Sequence, residues 1–155
     1  FTPDGSALVF VSRVAADDNP NHLVTPPVAA TYMVPFEGGS VVRLAPRSAS
    51  LLSRDGSGFL YTADGRRAGE STSVWQQELE SNGREERLFS LKQGTVSDLT
   101  WQPGGGVLAF SNDRGDHGFV GLYAPGAAAI VWMPASVDTD LQPAWSTDGR
   151  RLAWL

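Results

Sequence analysis

The chain has 155 residues, enough for one domain with a sizeable core, and it contains no cysteine, which excludes disulfide bonds, thiolate catalysis and cysteine-based zinc sites. Twelve basic and 17 acidic side chains give a net charge of −5 without a run of Lys or Arg, so no nucleic-acid partner is expected. The longest apolar run, residues 127–133, is far shorter than the roughly 18 residues that span a bilayer, so no membrane segment is expected.

A ten-residue pattern occurs four times along the chain, at intervals of about 44 to 51 residues, which is close to the repeat length of β-propeller blades. The copies begin at Phe1, Leu52, Trp101 and Trp145 and end on an aromatic residue, namely Phe10, Tyr61, Phe110 and Trp154. The fifth residue is glycine in every copy, and glycine accepts the positive φ of a tight hairpin turn. Each copy is therefore predicted to be a strand, a turn and a second strand, with the turns at Gly5, Gly56, Gly105 and Gly149.

The second strand of each copy carries two consecutive apolar residues before the aromatic one: Leu8-Val9, Phe59-Leu60, Leu108-Ala109 and Leu152-Ala153. Consecutive apolar residues, unlike strict alternation, indicate a strand that is buried on both faces. Blades stacked face to face around an axis would bury the strands in this way.

A second strand pair follows in each of the first three repeats, around the turn signals Gly38-Gly39, Asn82-Gly83 and Pro125-Gly126. Residues 75–79 are the one stretch with helix-forming composition, and five residues between two turns are too few for a helix. The predicted fold is all-β, a partial β-propeller of four-stranded antiparallel blades with about three blades plus partial ends, a fragment of a larger ring. The alternative, an ordinary antiparallel sandwich, is disfavoured because four copies match in glycine, aromatic and apolar spacing.

The repeat predicts four segments. Residues 1–45 form a blade lacking its first strand, 46–93 and 94–136 form two further blades, and 137–155 form the first half of the next. Unpaired strand edges and uncovered blade faces would then be exposed. We therefore expect poor solubility or self-association when residues 1–155 are expressed alone.

Candidate site residues come from the loops 111–118 and 136–143, which blade geometry places on the face opposite the tight turns. They are Arg114, Asp116, His117, Asp138 and Asp140. The long loop 13–30, with Asp17, Asp18 and His22, belongs to the same face.

Three interpretations fit this set of charged residues. Arg114 could pair with Asp138 or Asp140 and lock neighbouring blades, which is the favoured interpretation because Arg and Asp commonly form bidentate pairs. The carboxylates could instead hold the amino terminus of a peptide. A metal site is the weakest interpretation, since the chain has two widely separated histidines and no calcium-loop spacing, so no metal and no other cofactor is expected.

Other conspicuous side chains are predicted to be structural. Asp4, Asp55 and Asp148 precede the turn glycines and are expected to hydrogen-bond the local backbone. Trp101, Trp145 and Trp154 occupy repeat positions and are expected in the core. Trp75 and Trp132 lie off the repeat, where packing at a blade edge is favoured over lining a channel.

The repeat pattern, aromatic-Ser-x-Asp-Gly-x-x-Leu-Ala-aromatic with Gly-Gly hairpins, is similar to the propeller repeats of TolB and of prolyl oligopeptidase family serine peptidases. Residues 111–123 and 134–146 resemble, more specifically, bacterial dipeptidyl or acylaminoacyl peptidases. This resemblance implies a C-terminal α/β-hydrolase domain, absent from this chain, as a partner in the same parent protein. It also favours a periplasmic or secreted location over a cytoplasmic one.

The function implied by the resemblance is that of a non-catalytic N-terminal propeller that gates and positions peptide substrates for the hydrolase domain. The 155 residues contain no Gly-x-Ser-x-Gly nucleophile elbow and no catalytic triad, so no catalytic residue is assigned. The alternative is a TolB-like propeller that binds another protein and has no enzymatic activity. A propeller enzyme with its active site in its own channel is disfavoured, because no His or carboxylate set recurs.

Overall fold

The computed structural model describes residues 1–14, 28–45, 49–64, 72–81, 83–127, 129–136 and 139–155. The chain forms two compact units, one of residues 1–61 and 76–86 and the other of residues 62–75 and 87–155. Each unit is described by itself below.

The first sheet has three strands, β1 (Ala7–Val14), β2 (Val28–Pro35) and β3 (Val42–Ala45), in that order. All pairs are antiparallel, and the register between β2 and β3 shifts once, at Thr31 and Tyr32. The Thr31 hydroxyl, which is fully buried, accepts a hydrogen bond from the backbone N–H of Ala49 at 2.8 Å. This bond fixes the chain as it leaves the first sheet.

The second sheet has four strands in chain order: β4 (Leu51–Leu52), β5 (Gly58–Asp64), β6 (Thr72–Glu78) and β7 (Glu85–Leu91). Of residues 75–79, the segment with helix-forming composition, residues 75–78 belong to strand β6. In the first unit the Gln77 side chain donates to the backbone oxygen of Leu44 at 3.4 Å, linking this sheet to the first one.

The third sheet also has four strands, β8 (Thr95–Trp101), β9 (Leu108–Asp113), β10 (Gly118–Tyr123) and β11 (Val131–Trp132), in the order β11-β10-β9-β8. A two-stranded sheet of β12 (Ala144–Trp145) and β13 (Leu152–Ala153) follows. The described residues contain no helix. The predicted all-β architecture of four-stranded antiparallel blades is confirmed.

Three of the four hairpin turns have the predicted geometry, with positive φ at Gly5, Gly56 and Gly149. The third differs: the positive φ, +66°, lies at Gly104, one position earlier, and Gly105 lies outside that region. Its sequence explains the difference, because Pro103 followed by Gly104 is the signature of a type II turn, which requires positive φ at its third residue. The prediction that the fifth residue carries the positive φ is thus wrong for this copy.

Burial of the repeated strand differs between copies. In the second and third copies the apolar pairs and their aromatic residues are fully buried: Phe59, Leu60, Tyr61, Leu108, Ala109 and Phe110. In the first copy Leu8 is 36% exposed, and in the fourth Ala153 is exposed. The prediction of burial on both faces is therefore correct for two copies and wrong for the other two, because such burial needs a neighbouring sheet on each side.

The repeat tryptophans were also expected in the core, and all three are half-buried instead. They are Trp101, Trp145 and Trp154. The buried aromatic residues of the core are Phe59, Tyr61, Phe110 and Tyr123.

Candidate functional site

A cavity of about 500 Å³ opens beside the loop that joins β9 to β10, within the second unit. The residues that line it are Gln93, Gly94, Arg114, Asp116, His117 and Phe119. Three of the five sequence-predicted site residues, Arg114, Asp116 and His117, therefore share one cavity.

Strand alternation places the groups behind the cavity on one face of the third sheet. Asn112 and Phe119 lie directly opposite each other on β9 and β10, and Phe110 and Trp132 both pair with Gly121 two residues further along. A side chain at Gly121 would collide with the Phe110 ring, so glycine at this position allows the aromatic residues to approach. The face consequently carries a polar residue, Asn112, beside an aromatic group.

The Asn112 amide holds the Arg114 side chain. Asn112 is fully buried, and its amide is assigned the orientation in which both ends have partners: Nδ2 donates to the backbone oxygen of Gln93 at 3.1 Å, and Oδ1 accepts from Arg114 Nε at 3.1 Å. Gly94, with φ +83°, lies so close that a methyl group there would meet the Asn112 amide. Both hydrogen-bonding ends of this buried amide are satisfied, which is the condition for a polar group to be stable in a core.

Aromatic rings fix the other side of the guanidinium. Its central carbon lies 4.6 Å from the centroid of the Phe119 ring and 5.8 Å from that of Trp132. Phe119 and Trp132 meet edge to face at 6.2 Å, and Trp132 meets Phe110 in the same manner at 5.7 Å. Trp132 nevertheless remains 38% exposed, so the stack of Arg114, Phe119 and Trp132, called the ledge below, is open to solvent. Packing at a blade edge, the interpretation favoured for Trp132, agrees with these contacts.

Asp116 and His117 form a pair at the mouth of the cavity, with 3.1 Å between Oδ2 and Nδ1. The hydrogen bond from His117 lowers the pKa of Asp116, and the histidine charge acts in the same direction. The loop itself is closed by two backbone hydrogen bonds, from Arg114 N to His117 O at 2.9 Å and from Gly115 N to Asp113 Oδ1 at 2.7 Å. The pair is exposed, at 52% for the histidine and 79% for the aspartate.

Asp140 has a different role. It is 7% exposed and accepts hydrogen bonds from the Ser136 backbone N–H at 2.7 Å and from the Trp154 side chain, and the Ser136 bond is the main cause of its lowered pKa. Its segment is tied to β10 by the bridge between Gly118 and Thr139. The loops 111–118 and 136–143 therefore contact each other, and the hydrogen bond from Ser136 to Asp140 stabilises the second loop.

The structure gives Arg114 and Asp140 separate partners, and the predicted pair of Arg114 with Asp138 stays a prediction. Among the described residues, Arg114 contacts Asn112, Phe119 and Trp132, and Asp140 contacts Ser136 and Trp154, so these two charged groups have separate partners. Asp138, like Asp17, Asp18 and His22, lies outside the described residues.

The turn aspartates bond the local backbone, as predicted. Asp4, Asp55 and Asp148 accept from the N–H groups of Ser6, Ser57 and Arg150. Hydrogen bonds, first from Thr2 and then from Ser6, lower the pKa of Asp4 to about 2. Bonds from Ser53 and Ser146 are the main causes that lower the pKa values of Asp55 and Asp148.

Neither a metal site nor a membrane helix is present in the part of the chain that the structure describes. No group of three or more His, Asp or Glu side chains there is placed to hold a metal ion. No helix there is long and apolar enough to cross a bilayer.

Three residues of this site were not predicted from the sequence: Asn112, Phe119 and Gln93. A sequence signal exists for Asn112, because it is a polar residue at the end of an apolar strand, and buried polar groups of this kind need partners. The contribution of Gln93 is a backbone oxygen, which no side-chain pattern indicates.

Two solved structures resemble this chain. A TolB-type protein from Agrobacterium tumefaciens aligns with a TM-score of 0.71 and 18% identity over 99% of this chain and 51% of its own. TolB from Acinetobacter baumannii aligns with a TM-score of 0.68 and 19% identity over 99% of this chain and 36% of its own. The chain thus spans about half or less of the structures that it matches. Searches of protein-family models and of curated proteins found no match.

These likenesses establish the fold as a TolB-like β-propeller. The TolB part of the predicted resemblance is confirmed at the level of fold. Neither structure is described as a peptidase, so the prolyl oligopeptidase part gains no support from them.

Proposed function

We propose that this chain is a protein-binding β-propeller module without catalytic activity of its own. The observation that carries the proposal is the open ledge of Arg114, Phe119 and Trp132 beside the 500 Å³ cavity. Tryptophan and arginine are the residue types most enriched at the energetic centres of protein interfaces, and apolar surface beside a cavity gives a partner side chain a place to be buried.

The TolB-like fold agrees with this function, since propellers present loops from several blades on one face and bind macromolecules there. The peptidase-gate interpretation would use the same surface to guide peptides towards an attached hydrolase domain. It stays a prediction, as does the periplasmic or secreted location. What separates the two functions is whether the parent protein carries a reactive serine.

A photo-cross-linking experiment tests the proposal. A benzophenone amino acid is placed at Asp116, which lines the cavity and is 79% exposed, and, as a control, at the exposed Arg150 of the same unit, in the full protein in its native cells. We expect a discrete cross-linked product at position 116 that is absent at position 150 and is lost with Arg114→Ala at an unchanged melting temperature.

Two results would contradict the proposal. One is the same products, or no product, at both positions. The other is labelling of the parent protein by a fluorophosphonate, which would replace the binding module with the peptidase gate.

A further inference from the structure

The Arg114 guanidinium has hydrogen-bond donors that no described residue uses. Arginine has five N–H donors, and the contacts of Arg114 with described residues are the bond from Nε to Asn112 and the two aromatic stacks. The guanidinium lines the cavity, and no described residue accepts a hydrogen bond from the four N–H groups of its terminal nitrogens. We infer that Arg114 is the receptor for a carboxylate group of the bound partner, an inference that rests on the proposed binding function.

The fixed orientation of Arg114 supports this inference. Asn112 holds the guanidinium at one edge, and the Phe119 ring restricts its plane. The two terminal nitrogens form a planar fork that matches the two oxygens of a carboxylate. Because the side chain is already ordered, little rotamer freedom is lost when a ligand binds, and the affinity rises accordingly.

The charges around the cavity favour a monoanion over a phosphate group. Asp116 lies on the same cavity, and its charge is only partly offset by the hydrogen bond to His117. Asp116 would repel a doubly charged phosphate, and the single positive charge of Arg114 would not balance it. One carboxylate, in contrast, balances one guanidinium. The whole chain carries a charge of −5, so general attraction of anions does not operate and the contact is local.

The ledge also indicates what lies beside the carboxylate. Trp132 remains 38% exposed next to Arg114, which suits an apolar side chain adjacent to the anionic group. A peptide can offer this combination at its C-terminus, or through a Glu or Asp side chain next to an apolar residue. Both sources present a carboxylate, so the probe peptides must distinguish a C-terminal carboxylate from a side-chain one.

The test titrates three peptides into the full protein and follows by NMR the backbone amide signals of Gly115 and His117, which every variant keeps, together with the arginine side-chain Nε–H signals. The Arg114 Nε–H signal is assigned by its loss in Arg114→Gln. The probes are acetyl-Ala-Phe with a free carboxylate, the same peptide as its C-terminal amide, and acetyl-Glu-Phe-amide. Inorganic phosphate is titrated as a fourth ligand. Arg150→Gln removes the same charge from an exposed position and is the matched control.

We expect saturable binding of at least one carboxylate peptide and no shift with the amide of acetyl-Ala-Phe. The peptide that binds identifies the source of the carboxylate. Arg114→Lys, which keeps the charge and loses the fork, should weaken binding by about tenfold, and Arg114→Gln by more, as for other hydrogen bonds to charged groups. Arg150→Gln should leave binding unchanged.

Several results would overturn the inference. They are equal binding of the amide and the acid, tighter binding of phosphate, an equal effect of the two glutamine variants, or no shift up to about 10 mM of any carboxylate peptide, where even weak contacts are measurable. If any of these occurs while the cross-link at position 116 persists, the carboxylate receptor fails and the binding module stands. If the cross-link is also absent, both fail.

Discussion

The position of Arg114 depends on a residue that never meets the solvent. Asn112 connects Arg114 Nε to the backbone oxygen of Gln93, and the hydroxyl of Thr72 donates to the oxygen of Gly94, the next residue, at 2.9 Å. An arginine on an exposed loop ordinarily samples many rotamers. Here a buried amide and an aromatic ring restrict it, so a surface side chain takes on the rigidity of the sheet behind it.

The turn aspartates make the stability of the fold depend on acidity. The hydrogen bonds that lower the pKa of Asp4 to about 2, and that lower those of Asp55 and Asp148, stabilise the ionised form in the folded state. A lowered pKa contributes stability that is present above the unfolded value of 3.8 and is lost as pH falls through the folded value.

We therefore expect the free energy of unfolding to decrease as pH falls from about 4 towards 2. The triple variant D4N/D55N/D148N should be less stable than wild type at pH 7 and should show a smaller decrease over that range. Urea unfolding at a series of pH values measures how the free energy of unfolding changes with pH in each protein. An equal change in the two proteins would show that these turns do not couple folding to protonation.

At the level of the hairpin, the third turn departs from the other three. In the repeat pattern its fourth position would be aspartate, as at Asp4, Asp55 and Asp148, and the chain has Gly104 there with φ +66°. A residue with a β-carbon is strained in this region by about 1–2 kcal/mol. Replacing Gly104 with aspartate, the residue of the other copies, should therefore destabilise this turn.

We expect Gly104→Asp and Gly104→Ala each to destabilise the protein, the alanine variant by about 1 kcal/mol. Nothing lies within 4 Å of a β-carbon at Gly104, so the cost is one of backbone conformation. Gly5→Ala, at another open glycine with φ +72°, is the control and should cost a similar amount. Unchanged stability of Gly104→Asp in thermal unfolding would mean that the turn has switched to the geometry of the other copies.

Local sequence patterns predicted the strands and turns. Burial and the partners of the site residues depend on contacts between segments far apart in the sequence, and the sequence patterns did not predict them. Glycines at repeat spacing set the hairpins because a turn is a property of four consecutive residues. The exposure of Leu8 and the burial of Leu108, which are equivalent in the repeat, depend on which sheets lie beside them. Arg114, Asp116 and His117 were predicted because they are charged and near in sequence, whereas Asn112 was missed because its partners come from the turn at residue 93 and from the next loop.

At the scale of the whole chain, the first unit exposes a cluster of apolar side chains. Phe1 and Phe36 are 67% and 68% exposed and meet edge to face at 5.9 Å, and Val41, in the same hairpin loop as Phe36, is 55% exposed. Two large rings that contact each other yet remain in water form a surface that association would bury. We therefore predict that self-association occurs through the patch of Phe1, Phe36 and Val41.

Sedimentation velocity of residues 1–155 over a range of concentrations tests this location. We expect the chain to associate. The double variant Phe36→Ser with Val41→Ser should shift the distribution of sedimentation coefficients towards the monomer, because each substitution removes apolar surface whose burial stabilises association by about 25 cal/mol per Å². Val131→Ser, at a valine of similar exposure in the second unit, is the control and should leave the distribution unchanged. If the control disperses the protein as effectively as the double variant, the association is a general response to apolar surface. If wild type is monodisperse at all concentrations, the patch drives no association and the three side chains are only exposed.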